Sequence, residues 1–101
     1  MEKYNNYIKK ITELTYTLWQ GKGINIEEMT TVITNFITDL EFQCGRMRAL
    51  GIEFPMEYVE QALKNMKTAI DNRDDYLLAD CLYYEWREIM VVFIEVAEEI
   101  K

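Results

Sequence analysis

The C-terminal quarter of the chain, residues 74–101, has the pattern of one long helix with an unusually wide apolar face. At about 100° per residue, its apolar side chains share an arc of roughly 200°. A helix that packs on one neighbour buries an arc of only about 100°. We therefore expect this segment to contact two or three other helices. The residues of the arc are Leu78, Ala79, Leu82, Tyr83, Trp86, Ile89, Met90, Val92, Phe93, Val96, Ala97 and Ile100.

Three earlier segments also repeat apolar residues at the spacing of a helix. Together with the C-terminal segment, the four predicted helices cover about residues 3–20, 26–50, 55–72 and 75–100. Consecutive helices with short joints lie antiparallel to each other. The sequence therefore predicts a single all-α domain over residues 1–101, folded as an antiparallel up-down-up-down four-helix bundle. A three-helix core with a separate N-terminal arm is the alternative.

Local signals mark the starts of three of these helices. Asn25 and Glu28 have the spacing of a capping box at the start of the second helix. Pro55 suits the first position of the third helix, because its φ is fixed and its missing N–H would be unpaired there. Asp74 or Asn72 is the expected cap of the fourth helix.

The net charge of −7 is confined to the second half of the chain. Residues 1–50 carry six acidic and six basic side chains, whereas residues 51–101 carry twelve acidic and five basic ones. Such a field repels nucleic acid and anionic lipid, so we expect neither as a partner. It leaves open a basic protein partner, mimicry of nucleic acid, or an acidic surface that only keeps the protein in solution.

The absence of histidine from the sequence excludes most catalytic motifs. It removes Ser-His-Asp and Cys-His nucleophile systems and the H-E-x-x-H zinc site. The cluster Asp71, Asp74 and Asp75 lacks the ligand ladder of a calcium loop and is typical of a helix cap. We therefore expect no catalytic residue, no metal site and no cofactor.

Cysteine use and the N-terminal residues both point to a cytoplasmic location. Cys44 and Cys81 form no C-x-x-C motif and fall on apolar arcs, so we interpret them as reduced core thiols. A disulfide or a reactive thiol is the alternative. Residues 1–6 lack the basic start and apolar core of a signal peptide. No stretch approaches the roughly 18 apolar residues of a membrane-spanning helix.

Glu85 is the one charged residue whose position conflicts with the helical pattern. It falls inside the apolar arc, where a carboxylate must be partnered or protonated. Antiparallel packing on the first helix would bring it level with residues near Lys9, within reach of Tyr7 or Lys10. Three interpretations stay open: an edge glutamate in water, a buried polar pair with Tyr7, and a ligand-binding or catalytic role.

The outward side of the fourth predicted helix carries Leu77, Tyr84 and Val91 at steps of seven residues. Exposed apolar residues in line, with Asp80 and Arg87 beside them, predict an interface with a partner or with a second copy of the chain. In a dimer, Arg87 would approach Asp80 or Glu88 of the second copy. Ordinary surface is the alternative, because isolated exposed apolar residues are common.

Residues 74–85 read DDYLLADCLYYE. They resemble the string D-x-x-L-L-A-D-x-L-x-Y-E of a small all-helical bacterial family of unknown function, and the resemblance extends over about residues 69–100. It implies a cytoplasmic helical domain without a known activity. It also places Asp80, Tyr84 and Glu85 inside the shared string.

These observations together predict a small acidic protein-interaction module without catalytic activity of its own. An adaptor, a chaperone-like binder and a homodimerising domain all fit this description. The expected partner is a protein or a second copy, reached through the outward face of the fourth helix. The alternative is an acidic inhibitor or nucleic-acid mimic that occupies a basic site on its target.

Overall fold

The computed structural model describes residues 2–99, which are helical apart from three short joints. Ile100, predicted as part of the apolar arc, lies outside the described residues. No strand occurs between residues 2 and 99, and the predicted all-α class is confirmed. The fourth helix consists of three consecutive parts. The elements are α1 (Glu2–Trp19), α2 (Ile26–Ala49), α3 (Met56–Asp71) and, for the fourth helix, α4 (Asp75–Asp80), a π-helical segment (Cys81–Trp86) and α5 (Arg87–Glu99).

The starts at Asn25 and Asp74 follow the local signals in the sequence, whereas Pro55, predicted as the first residue of the third helix, is the cap before α3, which begins at Met56. Asn25 caps α2, because its side-chain oxygen accepts a hydrogen bond from the backbone N–H of Glu28 at 3.1 Å. Asp74 caps α4 in the same way, through the backbone N–H of Leu77 at 3.0 Å. The side chain of Glu28 pairs with Lys10 of α1 and so does not complete a capping box. Each described helix end lies within one residue of its predicted position.

The joints between the helices depend on left-handed backbone conformations. Gly21 after α1 and Gly51 after α2 both have φ of 77°, a conformation that glycine adopts without steric cost. Between α3 and α4 the left-handed residue is Arg73, with φ of 52°. For a residue with a side chain this backbone costs about 1–2 kcal/mol. The hydrogen bond of the Asp74 cap, directly after Arg73 in the chain, offsets this cost.

Helix α1 and the fourth helix form the centre of the packing. Helix α1 contacts α2 and all three parts of the fourth helix, while α3 contacts α4 and the π-helical segment. Phe93 of α5 is fully buried, and it meets the rings of Tyr4, Phe36 and Phe54 edge to face at 4.9, 5.6 and 6.0 Å. These rings come from α1, α2 and the joint before α3. One side chain therefore links three other parts of the chain.

The π-helical segment changes the register of the fourth helix. Here the backbone N–H of Arg87 donates to the carbonyl of Leu82, five residues earlier. A π turn holds one extra residue, so the residues after it are rotated by about 100° relative to a continuous α-helix. The uniform rotation assumed for the predicted arc is therefore wrong. Val92, predicted inside the arc, is 42% exposed, whereas Val91, predicted outward, is partly buried.

The described chain forms an elongated body of 43 × 25 × 19 Å. Both cysteines are free thiols; Cys81 is buried and Cys44 is partly buried. Over residues 2–99, every helix falls short of the length and apolar character that crossing a bilayer requires.

Candidate functional site

A groove runs between α3 and the fourth helix. It consists of two adjoining clefts of about 280 and 340 Å³. Tyr84 and Glu85 line both clefts, so the two meet at the π-helical segment. Phe54, Pro55, Tyr58, Glu88, Ile89 and Val92 complete the first cleft, and Asn65, Thr68, Leu77, Asp80 and Cys81 complete the second.

The carboxylate of Glu85 is held in place by side chains of α3. Its Oε2 accepts a hydrogen bond from Nδ2 of Asn65 at 2.7 Å, and Oδ1 of Asn65 accepts one from Nε2 of Gln61 at 3.0 Å. The other oxygen, Oε1, is buried and has no N–H or O–H donor among residues 2–99; the further contact of the carboxylate is with the weakly donating thiol of Cys81. Most buried polar atoms are satisfied, so an unpaired carboxylate oxygen at the junction of two clefts is unusual.

The partners predicted for Glu85 on the first helix are wrong. The hydroxyl of Tyr7 donates to Oδ2 of Asp39 at 2.6 Å, and Lys10 pairs with Glu28, so both side chains bond to α2. Glu85 bonds to α3, on the other side of the fourth helix. Tyr7 is partly buried, and this burial raises its pKa above the ordinary 10.0, with a further contribution from the hydrogen bond to Asp39.

Cys81 lies one helical turn before Glu85 and lines the second cleft. Burial raises the pKa of its thiol to about 12, and the negative charge of Glu85 and a hydrogen bond from the thiol to the Glu85 carboxylate act in the same direction. A thiol with such a pKa stays protonated at neutral pH, and a protonated thiol is a poor nucleophile. This environment suits a packed side chain and opposes the reactive-thiol alternative.

The structure divides the predicted interface residues into two groups. Leu77, Asp80 and Tyr84 line the groove, where Leu77 is 39% and Tyr84 63% exposed. Arg87 and Val91 belong to α5, beyond the π-helical segment, and neither lines a cleft. The extra residue of the π turn is the physical reason. The steps of seven that align these residues on an α-helix no longer keep them on one face.

Arg87 makes contacts within its own chain. Its guanidinium donates to Oε1 of Glu88 at 2.9 Å and lies 4.9 Å from the centre of the Tyr83 ring. The predicted contact of Arg87 with Asp80 or Glu88 of a second copy would compete with these two interactions.

A row of aromatic rings connects α1 to the groove. Tyr16 and Trp19 are 5.6 Å apart, Trp19 and Tyr83 5.2 Å, and Tyr83 and Tyr84 5.1 Å between ring centroids. We call these four residues the aromatic row. Because Tyr84 ends the row, the position of its ring depends on packing that begins on α1.

Several residues of the groove do not follow from the sequence pattern. Asn65 and Tyr58 lie off the apolar stripe of α3, and hydrophobic periodicity carries no information about side chains that pair across a groove. Val92 comes to the groove only through the π turn. The one feature of the sequence that could have indicated the groove is Glu85 itself. A charged residue inside an apolar arc can mark a change of helix register.

Acidic side chains dominate the polar lining of the groove. Asp80, Glu85 and Glu88 line it, and no Lys or Arg does so in the part of the chain that the structure describes. Within that part, no three His, Cys, Asp or Glu side chains come close enough together to hold a metal ion. The groove therefore offers apolar rings and negative charge, which suit the binding of a partner.

A scan against protein-family models, a search of curated proteins and a search of solved structures all find nothing that matches the chain. The resemblance of residues 69–100 to a helical bacterial family stays a prediction.

Proposed function

We propose that the protein is a protein-interaction module that receives a helical segment of a partner in the groove between α3 and the fourth helix. The observation that carries this proposal is the concentration of exposed apolar side chains along one groove. Tyr58 is 66% exposed, and Tyr84, Val92 and Leu77 are also exposed. Exposed apolar residues that adjoin one another are typical of interaction surfaces, and apolar grooves commonly bind amphipathic helices.

The dimensions of the groove support a helical occupant. Its lining extends over residues 77–92 of the fourth helix, a distance of about 22 Å at a rise of about 1.5 Å per residue. This length matches about four turns of a bound helix. Each large apolar side chain covered by such a helix contributes about 1.5–3 kcal/mol. No catalytic group is required by this function.

We further propose that the four helices form an antiparallel up-down-up-down bundle that holds the groove rigid. The short joints after Trp19, Ala49 and Asp71 support this arrangement, because they leave little chain for a crossover. The contacts of α1 and α3 with the same fourth helix also support it. The free thiols of Cys44 and Cys81 agree with a cytoplasmic location.

A second candidate function is an acidic inhibitor that occupies a basic site on its target. The acidic lining of the groove and the charge of −7 favour it. The same charge opposes a homodimer, because each copy repels the other. The dependence of binding on salt concentration distinguishes the two functions. Binding through charge weakens steeply as ionic strength rises, whereas binding through apolar contacts weakens little.

Selection of displayed helical peptides against the protein tests the proposed function. The affinity of the best peptide is then measured by fluorescence anisotropy for the wild type, for Tyr84→Lys/Val92→Glu and for Phe42→Lys. Phe42 is the matched control, because it is an exposed aromatic residue on α2 that lines neither cleft. We expect the double variant to weaken binding at least about tenfold and the control to leave it unchanged.

Two results would contradict the proposal: a selection that yields no binding peptide, and peptides that bind the wild type and the groove variant equally. Light scattering at micromolar concentration provides the corresponding test for self-association. A dimer that Tyr84→Lys/Val92→Glu dissociates would identify a second copy as the occupant.

A further inference from the structure

We infer that the groove selects a cationic anchor, a Lys or Arg side chain of a basic amphipathic helix, and that Glu85 is the group that receives it. This inference rests on the proposed function and adds the chemistry of the partner. It is carried by three features of the groove: a carboxylate with one oxygen that lacks a strong donor, the charge of the lining, and the rings beside it.

The first feature is the fixed position of the Glu85 carboxylate. Asn65 holds Oε2 at 2.7 Å, and Gln61 in turn holds Asn65 at 3.0 Å. The carboxylate is thus oriented before any partner arrives, and a preorganised group costs less to engage. Its Oε1 has no N–H or O–H donor among the described residues, and the donor that remains beside the carboxylate is the weakly donating thiol of Cys81. An ammonium or guanidinium group supplies the missing donor and the opposite charge together.

Oε1 is covered in the free groove, so the anchor must displace a lining side chain to reach it. Glu85 lines both clefts, so a cation seated in either cleft approaches the same carboxylate.

The second feature is the absence of a competing cation in the groove. Arg87, the basic residue that follows the π-helical segment, already donates to Glu88 and lies over the ring of Tyr83. Asp80 and Glu85 therefore face the groove as uncompensated charges in the part of the chain that the structure describes. An acidic partner segment is repelled by this lining, and a basic one is attracted.

The third feature is the aromatic lining next to the carboxylate. Tyr58 and Tyr84 line the first cleft together with Glu85. Aromatic faces attract Lys and Arg side chains through the negative charge of the ring face, and their apolar surface packs against the methylene stems of both residues. Apolar rings around one carboxylate thus match a long side chain with a cationic head. A neutral apolar anchor would leave Oε1 unpaired.

A double-mutant cycle tests the inference. Each Lys and Arg of the peptide selected above is replaced by norleucine, and the affinity of each peptide is measured for the wild type, Glu85→Gln and Glu95→Gln. Glu85→Gln keeps the acceptor for Asn65 and removes the charge. Glu95→Gln is the matched control, because it makes the same change on an exposed residue of α5 that lines neither cleft.

We expect one cationic position whose replacement weakens binding to the wild type at least about tenfold and to Glu85→Gln less than about twofold. Glu95→Gln should behave as the wild type at that position. Equal losses in all three proteins would show only diffuse attraction and would overturn the inference. Selected peptides without any Lys or Arg would also overturn it, yet they would leave the proposed function standing. A failure of the selection itself would refute the proposed function.

A titration with small cations provides a second measurement. Butylguanidinium, butylammonium, pentanol and valerate are added to the labelled protein, and the backbone amide resonances are followed by NMR. We expect both cations to shift the resonances of Tyr84 and Glu85 at concentrations at least about fivefold lower than pentanol or valerate require. Glu85→Gln should remove this difference. Responses that are equal for all four compounds would overturn the inference.

Discussion

Replacing Phe93 by Ala should cause the largest loss of stability of any single truncation in the core. Phe93 is fully buried, and removal of a buried Phe side chain costs about 3–5 kcal/mol. Three edge-to-face ring pairs end at this residue, with Tyr4, Phe36 and Phe54. Each such pair contributes about 0.5–1.5 kcal/mol beyond the buried area. We therefore expect a loss near the upper end, about 5 kcal/mol.

Val92→Ala is the matched control, and it also tests the register of the helix. Val92 precedes Phe93 and is 42% exposed, so its truncation should change the free energy of unfolding by less than about 0.5 kcal/mol. A continuous α-helix would instead bury Val92 among the core residues. The same change would then cost about 2 kcal/mol, since about 0.8 kcal/mol is lost for each buried carbon removed.

Urea denaturation followed by far-UV circular dichroism measures both changes. A loss of about 5 kcal/mol is comparable with the whole stability of many small domains. If Phe93→Ala does not fold, Phe93→Leu replaces it, with an expected cost of at least about 1.5 kcal/mol from the three lost ring pairs. A loss below about 1 kcal/mol for Phe93→Ala would refute the central packing of this ring. A loss of about 2 kcal/mol for Val92→Ala would refute the π-helical register.

Three further predictions concern single side chains. Glu85→Gln should leave the free energy of unfolding within about 0.5 kcal/mol of the wild type, whereas Glu85→Ala should lower it by more than about 1 kcal/mol, because Asn65 loses its acceptor; equal, negligible effects in urea denaturation would contradict this. Stability should fall as the pH rises from 9.0 towards about 12, since the pKa of Cys81 is raised in the folded state and the unfolded thiol loses its proton first. Cys81→Ala should make this fall less steep. An unchanged slope in that variant would contradict a contribution from Cys81. Asp74→Ala should lower stability by about 0.5–2 kcal/mol through loss of the cap, and Asp75→Ala, which removes a neighbouring charge but no cap, should lower it less.

The helices could be predicted from the sequence because their signals are local. Apolar spacing fixes which stretches are helical, and Asn25 and Asp74 fix two of the starts through hydrogen bonds to backbone groups three residues away. Such contacts involve neighbours in the chain, so a single sequence contains them. The end of α1 is also marked locally, by the left-handed backbone of Gly21 two residues after the helix.

The groove could be predicted only in part, because it depends on contacts between distant residues. Leu77 and Tyr84 lie before or within the π-helical segment, and the outward face predicted for them agrees with their exposure. Val91 lies after it, where the extra residue has rotated the helix. The bond between Asn65 and Glu85 joins residues twenty positions apart, and no pattern within either helix encodes it.

The two tryptophans give the π-helical segment an intrinsic optical signal. Trp86 belongs to the segment and is fully buried, with an indole N–H that has no acceptor among residues 2–99. Trp19 is partly buried and packs on Tyr83 within the aromatic row. Emission from Trp86 should therefore lie at short wavelength and resist external quenchers, while Trp19 emits at longer wavelength and is quenched readily. Tyr84 is the last ring of the aromatic row, and Trp19 belongs to the same row. A ligand that moves Tyr84 should therefore change the emission of Trp19, and its binding can be followed by this fluorescence without an attached label.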